Sequence, residues 1–188
     1  MSDYIPKYSE VKNELKDDYT RYEIKRELKK YNIRKLYHFT DKENLRSIIK
    51  NRRIYSSEYA RKQGIDIVTS SDDLSKKIAS DKKLENFVSL TFTKEHPMFK
   101  KKKIEGRELI WFEISTAPIF WKRTMFSPIN STDRRALLGA DFKIFRLIDL
   151  GLFDENELTV KYDSKKMQAE VLIRDFLPIK FVRRWYDG

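Results

Sequence analysis

A carboxylate inside an otherwise apolar run is the first feature of this sequence that could carry out chemistry. Glu170 lies in the run Gln168-Ala169-Glu170-Val171-Leu172-Ile173, whose composition predicts a β-strand. Strand alternation would place Gln168 and Glu170 on the same side. A carboxylate there is costly to desolvate unless it is paired, lies at the exposed start of the strand, or is functional. Two interpretations stay open: a functional carboxylate, or an edge-strand glutamate paired with one of the many lysines.

The second candidate is His38, at the end of the short aromatic run Leu36-Tyr37-His38-Phe39. Thr40 and Asn44 follow it closely. A neutral imidazole offers one donor and one acceptor, so these three side chains could bind a ribose hydroxyl or an amide of a ligand. Taken alone, a histidine of this kind is more often a structural residue whose hydrogen bonds are satisfied within the protein.

Two further features between residues 96 and 103 have both a structural and a functional interpretation. His96-Pro97-Met98 favours a structural role for His96, because proline restricts the backbone of the residue before it and methionine readily fills core gaps. The lysine run that follows is typical of a solvated loop, although such a run can also track phosphates. The candidates for that second role are Lys101, Lys102 and Lys103.

The composition narrows the class of protein. The 188 residues carry 40 Lys and Arg against 29 Asp and Glu, for a formal charge of +11, which favours a polyanionic partner or simply high solubility. The absence of cysteine excludes disulfides, thiolate nucleophiles and cysteine-ligated metals, and with two histidines we expect no metal site. The sequence shows neither a signal-peptide pattern nor an apolar run of membrane-spanning length, so we expect a cytoplasmic protein without membrane contacts.

The elements that must position these residues form one mixed α+β domain over residues 33–188. A strand ending near His38 is followed by a helix that Thr40 or Asp41 would cap and that would bury Leu45, Ile48 and Ile49 on one face. Three later runs predict strands that are widely separated in sequence. They are Phe87 to Phe92, Leu109 to Ile114, and Ala169 to Ile173.

Residues 1–32 predict an N-terminal helical extension. Its first helix would pack on the body through an amphipathic stripe. A second helical stretch through Ile24 and Leu28 would end near Tyr31-Asn32, where asparagine can act as a C-terminal cap. The predicted stripe consists of Tyr8, Val11, Leu15, Tyr19 and Tyr22.

Taken together, the motifs resemble the DarT family in order and approximate spacing, from about Lys35 to about Arg183. Several motifs in the right order are far more specific than any one of them. They are Leu36 to Asp41 with Asn44, Leu45 and Ile48; Phe87 to Phe92 with His96, Pro97 and Met98; Trp121 to Ser127 with Asn130; and Gln168 to Leu172.

The resemblance implies an ADP-ribosyltransferase-like fold, with mixed central sheets around a cleft that binds NAD as a substrate. It further implies attachment of ADP-ribose to a base of single-stranded DNA. Such a toxin is usually held in check by an antitoxin, an ADP-ribosylglycohydrolase that removes the modification. In family terms, His38 would anchor the NAD ribose, Thr40 and Asn44 would lie in the same pocket, and Glu170 would be the catalytic carboxylate.

One departure from the family pattern bears on activity. The family carries a functional arginine ahead of the Phe87 to Phe92 strand, and here Lys76 is the nearest match. Lysine keeps the charge but lacks the planar fork of donors that grips a diphosphate. The alternatives to a DNA-modifying enzyme are therefore a non-catalytic relative that binds NAD or single-stranded nucleic acid, and a transferase that acts on RNA or protein.

Overall fold

A six-stranded antiparallel sheet organises the chain, in a computed structural model that describes residues 15–69, 81–154 and 163–188. The strands are β1 (Lys35–Asp41), β2 (Arg53–Tyr55), β3 (Phe87–Thr91), β4 (Leu109–Ser115), β5 (Met125–Ser127), β6 (Glu170–Arg174), β7 (Phe176–Pro178) and β8 (Val182–Asp187). The large sheet has the order β5-β6-β3-β1-β4-β8, and β2 pairs with β7 in a small second sheet.

Short helices connect and cover these strands, which confirms the predicted α+β class. The α-helices are α1 (Asp18–Lys30), α2 (Asn44–Asn51), α3 (Ser57–Lys62), α4 (Pro97–Ile104) and α5 (Phe142–Phe145). Single 3₁₀ turns cover Leu84–Asn86, Ala117–Phe120, Leu150–Phe153, Lys166–Gln168 and Ile179–Phe181. Within the described ranges, no helix is both long and apolar enough to cross a membrane.

The large sheet opens between its two central strands. β1 pairs with β4 from Lys35–Ser115 through Asp41–Leu109, whereas β1 pairs with β3 only at Tyr37–Thr91. Beyond that pair the two backbones share no further position of a hydrogen-bond ladder. His38 comes directly after the last shared position.

The four strands predicted from sequence form the centre of the fold. Leu36 of β1, Leu90 of β3, Phe112 of β4 and Val171 of β6 are all fully buried in one apolar core. The same core includes Ile24 and Leu28 of α1. Burial of such side chains contributes about 1.5–3 kcal/mol each, so the N-terminal helix is an integral part of this core.

Helix α1 packs through a different face from the predicted stripe. Tyr19 and Tyr22 are 67% and 64% exposed, whereas Thr20, Ile24 and Leu28 are buried. The aliphatic side chains enter the core because the tyrosine hydroxyls gain more from water. Leu15 precedes the helix and forms a β-bridge with Trp121. Tyr8 and Val11 lie outside the described residues.

The C-terminal end of α1 agrees with the prediction. Tyr31 caps the helix, and Asn32 has a φ of 53°, in the left-handed region that asparagine tolerates.

The start of α2 differs from the prediction, because β1 continues through Asp41. The N-cap is Glu43, which makes no side-chain capping bond, and Thr40 and Asp41 remain in the strand. The buried Asp41 carboxylate instead accepts bonds from the Arg107 guanidinium at 2.8 and 2.6 Å and from the Glu43 N–H at 3.1 Å. Ile49, predicted to be buried, is 48% exposed.

The lysine run belongs to a helix, so the predicted solvated loop is wrong. Helix α4 begins at Pro97, which suits a first helical position because it has no N–H to leave unpaired. His96 caps it by accepting a bond from the Met98 N–H at 3.3 Å. The run thus lies at the C-terminal end of a helix, where lysine is favoured by the helix dipole.

Candidate active site

A cleft of about 260 Å³ opens where β1 and β3 diverge. His38 and Thr40 line it from β1, Asn44 from α2, and Glu170 from β6. Four of the predicted site residues, distant in sequence, therefore lie around one cavity. Residues that were not predicted as site residues also contribute, notably Ser89 and Thr91 of β3 and Asn130.

Glu170 occupies an interior strand and is only 7% exposed. One carboxylate oxygen, Oε1, accepts a hydrogen bond from the Ser89 hydroxyl at 2.5 Å. The other, Oε2, accepts one from the Ser131 backbone N–H at 2.7 Å. The interpretation as an edge-strand glutamate paired with lysine is wrong, because β6 lies between β5 and β3 and neutral donors hold the carboxylate.

The surroundings of Glu170 make it a stronger base than an ordinary glutamate. Burial raises the pKa of the Glu170 carboxyl, and the hydrogen bonds from Ser131 and Ser89 oppose that rise without cancelling it. A carboxylate with a raised pKa accepts a proton more readily near neutral pH. The two donors at the same time fix the orientation of the carboxylate in the cleft.

His38 and Glu170 are both hydrogen-bonded to Ser89 of β3. The Nδ1 of His38 lies 2.8 Å from the Ser89 carbonyl oxygen, which can only accept, so Nδ1 carries the proton. Burial lowers the pKa of His38, which keeps the ring neutral and leaves Nε2 as an acceptor. Ser89 thus orients both residues, His38 through its carbonyl and Glu170 through its hydroxyl. The sequence signal for Ser89 was a hydroxyl in the middle of an otherwise largely apolar strand.

Asn44 holds one wall of the cleft. Its side-chain NH₂ donates to the Val68 carbonyl and to the Thr40 hydroxyl, both at 2.8 Å, and its amide oxygen accepts the Val68 N–H at 2.8 Å. The Asn44 amide therefore pairs with both backbone polar groups of Val68, in the way that the backbone of a neighbouring β-strand would. Ile67, Val68 and Thr69 line the cleft, so the contact of Asn44 with this wall is structural.

A loop over residues 128–138, called the carboxylate loop below, completes the surroundings of Glu170. Ser131 in this loop supplies the N–H to Oε2, and the Asn130 side chain donates to Gln168 Oε1 at 3.1 Å. Gln168 belongs to a 3₁₀ turn, so the predicted strand alternation does not apply to it. Lys82 contacts the loop from the other side, donating to the Ser131 and Asp133 carbonyls at 3.0 and 2.6 Å.

His96 lines the cleft as well as capping α4. Burial lowers the pKa of His96 to about 4, so the ring is neutral. Its Nδ1 accepts the Met98 N–H, which leaves the proton on Nε2. Within the described part of the chain, Nε2 is buried with no hydrogen-bond partner.

The predicted lysine candidates separate into different environments. The Lys102 side chain is 8% exposed and ion-paired with Glu105 at 2.9 Å, which argues against its predicted role as a phosphate contact. Lys101 and Lys103 are exposed, and Lys103 donates to the Gly188 carbonyl at 2.8 Å. Lys76 lies outside the described residues.

Across residues 15–69, 81–154 and 163–188, no group of three His, Asp or Glu side chains is placed to hold a metal.

Solved structures of a Thermosipho and a Thermus protein share this fold. Thermosipho africanus DarTG in complex with ADP-ribose aligns over 82% of this chain and 44% of its own, with 18% identity and a TM-score of 0.66. Thermus sp. 2.9 DarT in complex with ADP-ribosylated ssDNA aligns over 82% and 81%, with 12% identity and a TM-score of 0.60. The complex of the same Thermus protein with NAD⁺ aligns over 80% of each chain, with 12% identity and a TM-score of 0.58.

These identities are low enough that the solved structures show the fold alone. This chain spans less than half the length of the Thermosipho protein. No curated protein sequence matches it. The family model described as "ssDNA thymidine ADP-ribosyltransferase, DarT" matches residues 37–186, which is most of the chain and contains His38 and Glu170. The chain belongs to the DarT family.

Proposed function

We propose that this protein transfers ADP-ribose from NAD to a thymine base of single-stranded DNA. The observation that carries the proposal is the Glu170 carboxylate, buried in the wall of a cleft with both oxygens held by neutral donors. Membership of a family described by this activity supports the choice of substrate. The Thermus relative was solved with NAD⁺ and with ADP-ribosylated ssDNA, which agrees with both substrates.

The chemistry needs a base at this position. In a DNA strand, N1 of thymine is bonded to deoxyribose, so N3–H is its one ring N–H. The bond between nicotinamide and ribose breaks, and its electron pair leaves with nicotinamide. A bond then forms from thymine N3 to that ribose carbon while the N3 proton passes to Glu170 and on to solvent. The carboxylate also stabilises the positive charge that develops on the ribose.

The remaining cleft residues would bind and orient NAD. We assign His38 Nε2 as an acceptor for a ribose hydroxyl, because Nδ1 is committed to Ser89. Thr40 accepts from Asn44 and keeps its own hydroxyl proton available for a ligand. Asn44 would act by holding the wall at Val68. Lys76 would supply the positive charge that the family obtains from arginine.

The DNA strand would approach a strongly basic protein. The formal charge of +11 favours a polyanion over a neutral partner, and Lys101 and Lys103 are exposed cations at the C-terminal end of α4 that we assign to phosphate contacts. We further propose that the protein is a toxin, with an ADP-ribosylglycohydrolase antitoxin that removes the modification.

Intact-mass analysis tests the proposed activity directly. The protein is incubated with NAD and either an oligonucleotide containing one thymidine or a matched oligonucleotide in which cytidine replaces it. We expect the first to gain the mass of one ADP-ribose and the second to remain unchanged. Equal labelling of both oligonucleotides would refute thymine as the target. No labelling of either, with salt-sensitive binding of both, would identify a non-catalytic binding protein.

Two further arms separate the remaining alternatives. A uridine-containing RNA of the same sequence and a protein extract are each incubated with labelled NAD. Label on either one, with none on DNA, would show a transferase with a different target, because one fold can serve several substrates.

A further inference from the structure

The carboxylate loop is held at its base by a residue outside the matched family region. Lys16 is 6% exposed, and its ammonium donates to the backbone carbonyls of Thr124 and Ala140, each at 2.7 Å. The same ammonium lies 5.0 Å from the centre of the Phe126 ring, within the range of a cation–π interaction. An apolar residue at this position would leave both carbonyls without the hydrogen-bond donor that Lys16 supplies. The pairing of a buried lysine with two carbonyls is therefore a specific arrangement.

Thr124 and Ala140 flank the point where the loop closes. Phe126 and Gly139 exchange backbone hydrogen bonds of 2.8 and 3.3 Å, which bring the two ends of the loop together. The Lys16 ammonium bridges the residues just outside that pair. It therefore fixes the base of the segment whose Ser131 N–H reaches Glu170.

Lys16 is itself fixed by the N-terminal segment. Its backbone N–H donates to the Phe120 carbonyl at 2.9 Å, and Leu15 forms a bridge with Trp121. Asp17 follows at once as the N-cap of α1, accepting the Thr20 N–H at 2.9 Å. Because α1 is anchored in the core by Ile24, the lysine approaches the loop from a rigid support.

The geometry points to Lys16 as a positioning residue that holds the carboxylate loop in register with Glu170, so that the N-terminal segment takes part in transfer to DNA. This inference rests on the proposed function. Loss of the bridge would let the base of the loop shift, and the Ser131 N–H with it. Displacement of catalytic groups by about 1 Å can cost about a hundredfold in rate.

The charge of Lys16 makes the positioning role depend on pH, which packing of an apolar side chain would not. Burial lowers the pKa of Lys16 to about 8, against the opposing effects of Asp141 at the start of α5 and Asp17 beside it. Among the described residues, these carboxylates are the charged groups that face it. Above that pH the amine loses its charge, and both hydrogen bonds lose their charge-assisted strength. Arginine at this position would stay charged throughout the range.

The test compares Lys16→Met and Lys16→Arg with Lys122→Met, a substitution at an exposed lysine two positions before Thr124. We expect Lys16→Met to lower kcat by about ten- to a hundredfold, with less than about a twofold change in KM for NAD or DNA. Lys16→Arg should retain most of the rate, and it should remove the loss of activity that we expect for wild type above about pH 8. Lys122→Met should behave as wild type.

Amide hydrogen exchange tests directly whether Lys16 holds the carboxylate loop, independently of any change in kcat. Exchange at residues 128–138 should be faster in Lys16→Met than in wild type, with β1 and β4 unaffected. Unchanged exchange and unchanged kcat would overturn the positioning role. A rise in KM alone would also overturn it, since that places Lys16 in substrate binding. If wild type never labels DNA, the proposed activity fails, while the exchange result still decides whether Lys16 holds the loop.

Discussion

Replacing Asn44 by alanine separates a residue that holds the cleft wall from one that binds NAD directly. The substitution removes three hydrogen bonds of 2.8 Å, two to the Val68 backbone and one to Thr40. A typical hydrogen bond contributes about 0.5–1.5 kcal/mol net. Val68 is only half-buried and its backbone can be rehydrated, so we expect a loss near the lower end, about 2 kcal/mol of unfolding free energy.

The same change should weaken NAD binding indirectly. Without Asn44, the backbone of Val68 in this wall must be reordered each time the ligand binds. Fixing the backbone of one residue costs about 1–2 kcal/mol, which corresponds to about a tenfold rise in KM for NAD. Denaturation by urea measures the first effect, and initial rates against NAD concentration measure the second.

Asn51→Ala is the matched control on the same helix. Within the described residues its amide donates to Ser47 alone, at 2.9 Å to the carbonyl and 3.2 Å to the hydroxyl, and so does not reach the wall at Val68. It should leave KM for NAD unchanged. If Asn44→Ala kept wild-type stability while KM rose about a hundredfold, the side chain would be a direct NAD ligand and the structural role would be refuted.

Three further predictions concern the carboxylate, the lysine run and the N-terminal helix. Ser89→Ala removes a donor to the Glu170 carboxylate, so the pKa of Glu170 should rise further. The acidic limb of the kcat–pH profile should therefore move to higher pH. An unmoved limb would show that this hydrogen bond does not tune the pKa of Glu170. Lys102→Met should leave the salt dependence of DNA binding unchanged, because Lys102 is buried and ion-paired with Glu105. Lys101→Met should reduce that salt dependence. The opposite pattern in a salt titration would show that α4 rearranges when DNA binds. Ile24→Ala, at a fully buried position, should cost about 2–5 kcal/mol of unfolding free energy, and a smaller loss would show that α1 does not contribute to the core.

The sequence was most informative where several short motifs occurred in a fixed order. Strands β1, β3, β4 and β6 were predicted from their β-branched and aromatic residues, and His38 and Glu170 were paired across one cleft by the resemblance. Neither residue alone would have been assigned, because each has an ordinary structural explanation. The grouping of both around one cavity is what the structure adds.

Other features depend on contacts that periodicity cannot reveal. The buried face of α1 was predicted wrongly because tyrosine is compatible with either face of a helix, and the sheet selects Ile24 and Leu28. The contacts of Asn44 with Val68 could not be predicted, because an amide can pair with a ligand or with a backbone segment equally well. Lys16 gave no signal, since its carbonyl partners are more than a hundred residues away in sequence.

The most direct test of the central claim is Glu170→Gln, assayed with NAD and a single-stranded oligonucleotide containing one thymidine. Glutamine keeps the shape and an oxygen for the Ser131 N–H but cannot accept the proton. Because the folded-state pKa of Glu170 is raised, its stabilising contribution is present at low pH and is lost as pH rises through that pKa. The variant should therefore be at least as stable as wild type at neutral pH. Transfer should fall by about 10²–10⁴-fold, and labelling of the DNA at the wild-type rate would contradict the assignment of Glu170 as the catalytic carboxylate.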